Sequence, residues 1–207
     1  MNRFGTEIKQ YLQPVIAGLF FLVLIVGSSG CSNPDMRTHL NAKPQLSLEQ
    51  FFAGQTVAYG IFEDRFGALK RQFRVQITGT EADGKLILDE DFLYDDGEQA
   101  KRVWTITPLG EDENGFTQYR GEADDVKGFA QGVVAGNVLN WSYILDLDIG
   151  SQMIEVRFED FIYQMSDNLA INRAHVTKWG VELGTVTLVF LRGELAQTAL
   201  PLELQVW

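Results

Sequence analysis

The stretch "RQFRVQITGTEADGKLILDEDFLYDDG", residues 71–97, carries two apolar alternations on either side of a turn. Phe73, Val75 and Ile77 alternate with Gln72, Arg74, Gln76 and Thr78, the period of a strand that buries one face and wets the other. Asp83-Gly84 follows, a dipeptide that tolerates positive φ and so turns a hairpin tightly. On the return, Leu86, Leu88, Phe92 and Tyr94 share a face with Glu90 set among them, before Asp95-Asp96-Gly97 turns the chain again. The unit reads as an antiparallel hairpin with one ionisable residue on its apolar face.

The same period runs outward in both directions, from Gln55 almost to the C-terminus. Residues 103–107 and 116–121 pair around "GEDENG"; residues 132–135 and 138–148 are joined by Gly136-Asn137, with Trp141, Tyr143, Leu145 and Leu147 on one face. Residues 153–163, 169–179 and 181–192 complete a series of nine or ten strands without a long amphipathic helix. Hairpin-length connections predict an all-β fold, an antiparallel up-and-down barrel of about 8–10 strands, whose closure removes exposed edges and leaves room for one small ligand. Ahead of the strands, "SLEQFF" predicts a helical turn with Ser47 at its N-cap.

The N-terminus has a different grammar. Arg3 and Lys9 precede an unbroken apolar run at 15–26, which small residues follow up to Cys31, the only cysteine. As a helix the run rises about 18 Å, short of the roughly 30 Å of a bilayer core, and the order basic, apolar, small is that of a secretory signal peptide. Cys31 directly after Ser28-Ser29-Gly30 resembles the lipobox of bacterial lipoproteins, although Ser28 stands where that family usually has Leu. The resemblance implies cleavage before Cys31, a diacylglycerol on its thiol and a membrane anchor through that lipid. Ser32 stands where Asp would imply inner-membrane retention, so the implied address is the outer membrane, facing the periplasm. The expected organisation is a signal peptide at 1–30, a lipidated N-terminus and flexible tether at 31–47, a barrel at 48–193 and a tail at 194–207.

The net charge is −11 and becomes about one unit more negative once Arg3, Lys9 and Glu7 leave with residues 1–30. This excludes nucleic acid as a partner and electrostatic adhesion to anionic headgroups. A cysteine used for lipid leaves no thiol for a disulfide or a redox site.

The runs "FFAGQTVAYGIFEDRFGALKRQFRVQITGT" (51–80) and "GEADDVKGFAQGVVAGNVLNWSYILDL" (121–147) resemble an uncharacterised family of Gram-negative bacterial lipoproteins with a lipocalin-like barrel. The layout is similar to that of lipocalins, but their opening Gly-x-Trp is missing, since Gln55 and Thr56 follow Gly54. The resemblance implies architecture and brings no activity with it.

Candidate contacts follow from alternation. Glu90, pointing away from Asp89 and Asp91, is a carboxyl among apolar neighbours, the setting of a ligand anchor or general acid, or else a rim carboxylate or one paired with an inward arginine. Arg173 and His175 share a strand face and, if inward, suit a ligand carboxylate or phosphate; Arg157, between Glu155 and Glu159, is the other such guanidinium. Asp146 and Asp148 also share a face, as a cation pair or a solvated one. Tyr59, Trp104, Trp141 and Tyr143, with Phe73, Phe92, Phe158, Phe161 and Trp179, supply an apolar lining or a packed core. There is no Gly-x-Ser-x-Gly elbow, and His39 and His175 lie too far apart in role for a metal pair. No catalytic residues, metal or cofactor are expected.

The leading expectation is therefore a membrane-tethered periplasmic protein that binds a fatty acid, lipid or other small apolar molecule in its barrel. The alternative is an envelope interaction or assembly accessory using its acidic surface and the tail "ELAQTALPLELQVW". An enzyme with Glu90 or His175 as acid or base is the third reading.

Overall fold

Ten strands close into one barrel in the computed structural model, which describes residues 34–148, 153–200 and 202, without the Asp148 side chain. The expected signal peptide at 1–30, Cys31, and residues 201 and 203–207 of the tail lie outside the described residues. The chain divides into units of residues 1–35 and 36–207; the barrel belongs to the second.

The strands are β1 (Gly54–Asp64), β2 (Leu69–Ala82), β3 (Lys85–Tyr94), β4 (Gln99–Glu111), β5 (Thr117–Glu122), β6 (Ala130–Ala135), β7 (Val138–Asp148), β8 (Met153–Ser166), β9 (Leu169–Lys178) and β10 (Val181–Arg192). Each pairs antiparallel with its sequence neighbours, and β1 pairs with β10. The expected up-and-down barrel is what the structure contains. The β2–β3 turn is made by Asp83 and Gly84 with φ of 52° and 71°, so Ala82 and Lys85 face each other and the register runs unbroken to Phe73 opposite Tyr94.

One end is closed by a short helix, α1 (Leu48–Phe52), whose Leu48, Phe51 and Phe52 are buried. Ser47 caps it, its Oγ accepting from the Gln50 backbone N–H at 3.2 Å. Tyr119 on β5 ties it to the wall by donating to Glu49 at 3.0 Å. Because α1 has only five residues, its cap supplies a large share of its local order. Ser47→Ala is expected to cost about 1 kcal/mol, measured as a lowered urea midpoint with unchanged slope.

The segment ahead of α1 departs from a free tether. Residues Met36–His39 form a 3-10 turn, the Leu46 backbone N–H bonds to the Gly136 carbonyl at 2.8 Å, and Leu46 is buried. The missing side chain of Gly136 is what lets the His39 carbonyl lie against the β6–β7 turn. Backbone bonds to a tight turn hold this part of the expected tether.

The tail begins as a helix, α2 (Gly193–Ala199). Ala196 and Leu202 are buried with Val57 in a small cluster on the outer side of β1, bordered by Leu191, Ala199 and Leu200. An outward valine on an otherwise wet face thus receives its cover from the chain itself.

Candidate functional site

Large side chains on some strands and small ones on others leave space at the barrel's centre. The cavity has a volume of about 390 Å³ and runs from Leu48 and Phe52 of α1 past Val75, Leu88 and Trp104 to Phe62, Arg71 and Tyr94. Most of its wall is apolar, and its size falls within the range of small-molecule pockets.

Aromatic rings shape the wall. Trp104 meets Trp141 and Tyr143 edge-on at 5.6 and 5.4 Å, and Tyr143 stacks on Phe158 at 5.1 Å. Trp141 fits because Gly121 and Gly132 are its inward neighbours: a β-carbon at Gly132 would lie 2.5 Å from its ring. Further up, Tyr94 stacks with Phe92 at 6.1 Å, and the Arg71 guanidinium lies 3.6 Å from the Tyr94 ring centre.

Five polar side chains interrupt this wall at mid-height. Glu90 comes from β3, Arg102 from β4, Asp125 from the β5–β6 connection, Asp160 from β8 and Asn172 from β9. The connection reaches the wall because Val126 bridges to Leu145 and the Asp146 backbone N–H bonds to the Asp125 carbonyl. Arg102 grips Asp125 with Nε at 2.9 Å and Nη2 at 2.7 Å from Oδ2. Asn172 Nδ2 donates to Asp160 Oδ1 at 2.7 Å, while Asp160 Oδ2 and Asn172 Oδ1 are buried without a partner.

Burial governs the charges here. It pushes the Glu90 carboxyl up to about 7, assisted by Asp125 and Asp160 and opposed by Arg102. It pushes Asp160 up to about 7 as well, against the Asn172 hydrogen bond and Arg102. Glu90 keeps some accessible surface because it borders the cavity inside the barrel. Burial works against the charge on Arg102, but Tyr143, Asp125 and Glu90 outweigh it and raise the pKa of the guanidinium. The Tyr143 hydroxyl is held well above its ordinary value, first by burial and then by Asp160.

Of the residues singled out from sequence, Glu90, Trp104, Trp141 and Tyr143 line the cavity, as do Phe73, Phe92 and Phe158. Tyr59, Arg173 and His175 are corrected to the outer face. The inward positions of β1 and β9 belong to Ala58, Gly60 and Phe62, and to Ala170, Asn172, Ala174 and Val176, so the odd-numbered residues point away. Tyr59 is 43% exposed, Arg173 is exposed, and His175 Nδ1 lies 3.3 Å from Glu182 Oε2 on that outer side. Phe161 is buried on the side away from the cavity, and Trp179 is 93% exposed at the β9–β10 turn. Arg157 contacts Ser142 and Glu159 outside the cavity. Among the described residues no three His, Cys, Asp or Glu side chains gather as metal ligands, and no helix is long and apolar enough to cross a membrane.

Arg102, Asp125, Asp160 and Asn172 escaped the sequence reading. Arg102 and Asp160 carried the same signal as Glu90, a charge at an apolar position of an alternating strand; Asp125 sits in a connection, where alternation says nothing.

The solved structures that resemble the barrel share its shape more than its sequence. An S-type phycobiliprotein lyase from Guillardia theta is similar over 72% of this chain and 94% of its own, at 12% identity and a TM-score of 0.51. A protein of unknown function from the DUF3598 family of Nostoc punctiforme is similar over 77% of this chain and 52% of its own, at 14% identity and a TM-score of 0.49. No curated protein sequence matches the chain. The model of one family spans residues 25–192, covering nearly all of the barrel: the chain belongs to DUF3833, a family of proteins of unknown function.

Proposed function

We propose that this protein is a non-catalytic binding protein that holds one small, largely apolar molecule, a lipid or a compound of similar character, inside its barrel. The observation that carries the reading is the 390 Å³ cavity, apolar over most of its wall and polar at a few mid-height positions, the composition of a pocket that fixes orientation with few groups and draws affinity from apolar contact. The likeness in fold to a phycobiliprotein lyase contributes architecture alone. The working place is the bacterial envelope: the apolar run at 15–26 and Cys31 after Ser-Ser-Gly support an acyl anchor, and Ser32 supports the outer membrane, facing the periplasm.

The full chain isolated from a bacterial envelope is expected to give a native mass spectrum with one lipid-sized adduct, and solvent extraction should release that molecule. A cavity still empty after incubation with envelope lipids overturns the reading. The same experiment weighs interaction with an envelope protein, the second reading, which draws on the turns at the end away from α1, where Phe66 is 81% and Trp179 93% exposed.

A further inference from the structure

Resting on that reading, we infer that the ligand's polar end is a protonated amine, or a group of the same cationic hydrogen-bond-donating character, seated against Glu90 and Asp160. Every cation on the cavity wall is already engaged. Arg102 is held by Asp125 through both Nε and Nη2. Lys101 turns outward to Asp89 at 2.6 Å and Asp91 at 3.5 Å. Arg71 bonds Asp96 at 2.9 Å, contacts Glu98 as well, and lies over the Tyr94 ring. A fatty-acid carboxylate entering the barrel would find each cation of the wall already paired with a carboxylate, and Glu90 and Asp160, once ionised, would repel it.

The acceptors stand in the opposite condition. Among the described residues, Glu90 accepts no hydrogen bond from the protein, although it borders the cavity. Asp160 is only 7% exposed, borders the same space, and has Oδ2 without a partner; Asn172 Oδ1 beside it is equally unmet. Unmet buried acceptors are costly, and a ligand that supplies donors recovers that cost. A cation also recovers the cost of ionising two carboxyl groups that burial holds near neutrality.

Charge then makes binding depend on pH. The groups acting on Glu90 are Arg102 from β4, Asp125 from the β5–β6 connection, Asp160 from β8, and Asp89 on its own strand; Tyr143 from β7 and Tyr94 are coupled to it in turn. Asp160 is acted on by Asn172, Arg102 and Glu159. With Arg102 always charged and the tyrosines neutral, Glu90 and Asp160 are the groups whose protonation changes around pH 7. An amine should therefore bind better at pH 8, with both ionised, than at pH 5.5, with both protonated.

The test is displacement of the neutral fluorophore N-phenyl-1-naphthylamine from the full chain by dodecylamine, dodecanol and dodecanoate, each below its micelle concentration. Dodecylamine is expected to compete about tenfold better than the other two at pH 8, and to lose that advantage at pH 5.5 and in both Glu90→Gln and Asp160→Asn. Equal competition by all three, or an advantage for dodecanoate, overturns the amine assignment and leaves apolar binding standing. Failure of the fluorophore and of all three competitors to bind overturns both.

Discussion

Asp160→Asn is expected to raise the unfolding free energy of the ligand-free protein by about 2 kcal/mol at pH 8 and by almost nothing near pH 4. The carboxyl goes from an ordinary value of 3.8 to about 7 on folding, chiefly through burial. Between those values the folded state holds more protons than the unfolded one, so stability falls as pH rises through the window and the loss is complete above it. Each unit is worth about 1.4 kcal/mol; halving the full sum allows for water in the cavity and for the coupling to Glu90. Asparagine keeps the oxygen that accepts from Asn172 and removes the titration. Urea unfolding at pH 5 and pH 8 reads the effect: the parent should lose stability between them and the variant should lose less. Equal losses would mean that Asp160 is ionised throughout, in which case its environment is wetter than its burial implies. On the amine reading proposed above, this cost is offset when a ligand brings the missing charge to the two carboxyl groups.

How far the alternation could be read depended on whether a strand had one plainly apolar face. In β2 and β3 it did: Phe73, Val75 and Ile77 face inward, and the same reasoning put Glu90 on the cavity side with Leu88 and Phe92. In β9 it did not. Ile171, Arg173 and His175 on one face and Ala170, Asn172 and Ala174 on the other are about equally mixed, and the interior took the smaller set. β1 shows why. Its inward residues include Ala58 and Gly60, and a β-carbon at Gly60 would lie 2.6 Å from an edge atom of the Phe73 ring, so the larger Tyr59 goes outside. Gly60 is the direct cross-strand partner of Phe73 and Gly132 that of Trp141, so these rings lie over small residues of the adjoining strands; such size complementarity is set by the pairing register, which a strand read alone does not contain. Asp160 carries a legible signal, because Val156, Phe158 and Ile162 flank it on one face of β8. Counting lone charges on apolar faces would have found Glu90, Arg102 and Asp160 together.

Gly79→Ala is expected to destabilise the protein by about 3 kcal/mol and to open the floor of the cavity. Gly79 faces inward on β2, opposite Gly54 and Leu88, and a β-carbon there would fall far inside van der Waals contact of the Phe52 carbonyl, with Leu88 Cδ2 at 3.3 Å. The obstacle is main chain, so no rotamer change relieves it. Nor can α1 slide away at little cost: Ser47 caps its start, the Ala53 backbone N–H bonds to the Glu49 carbonyl at its end, and β1 begins at Gly54. Retreat would pull Phe52 off Phe190, which lies 5.4 Å away, and disturb its edge-on packing with Phe51 at 5.0 Å. Overpacking in a rigid core costs about 1–3 kcal/mol, and loss of two buried phenyl contacts takes the site to the top of that range. Gly132→Ala is the internal comparison. Its added carbon meets the Trp141 ring and the Tyr119 β-carbon at 3.1 Å, and the ring borders open cavity into which it can turn, so about 1 kcal/mol is expected, with weaker ligand binding. Urea midpoints and fluorophore affinity for the two variants decide the matter. A large stability loss at Gly79 with a small one at Gly132 would identify α1 as a fixed plug, whereas equal small losses would show that the plug gives way and that the barrel is open to entry from that end as well.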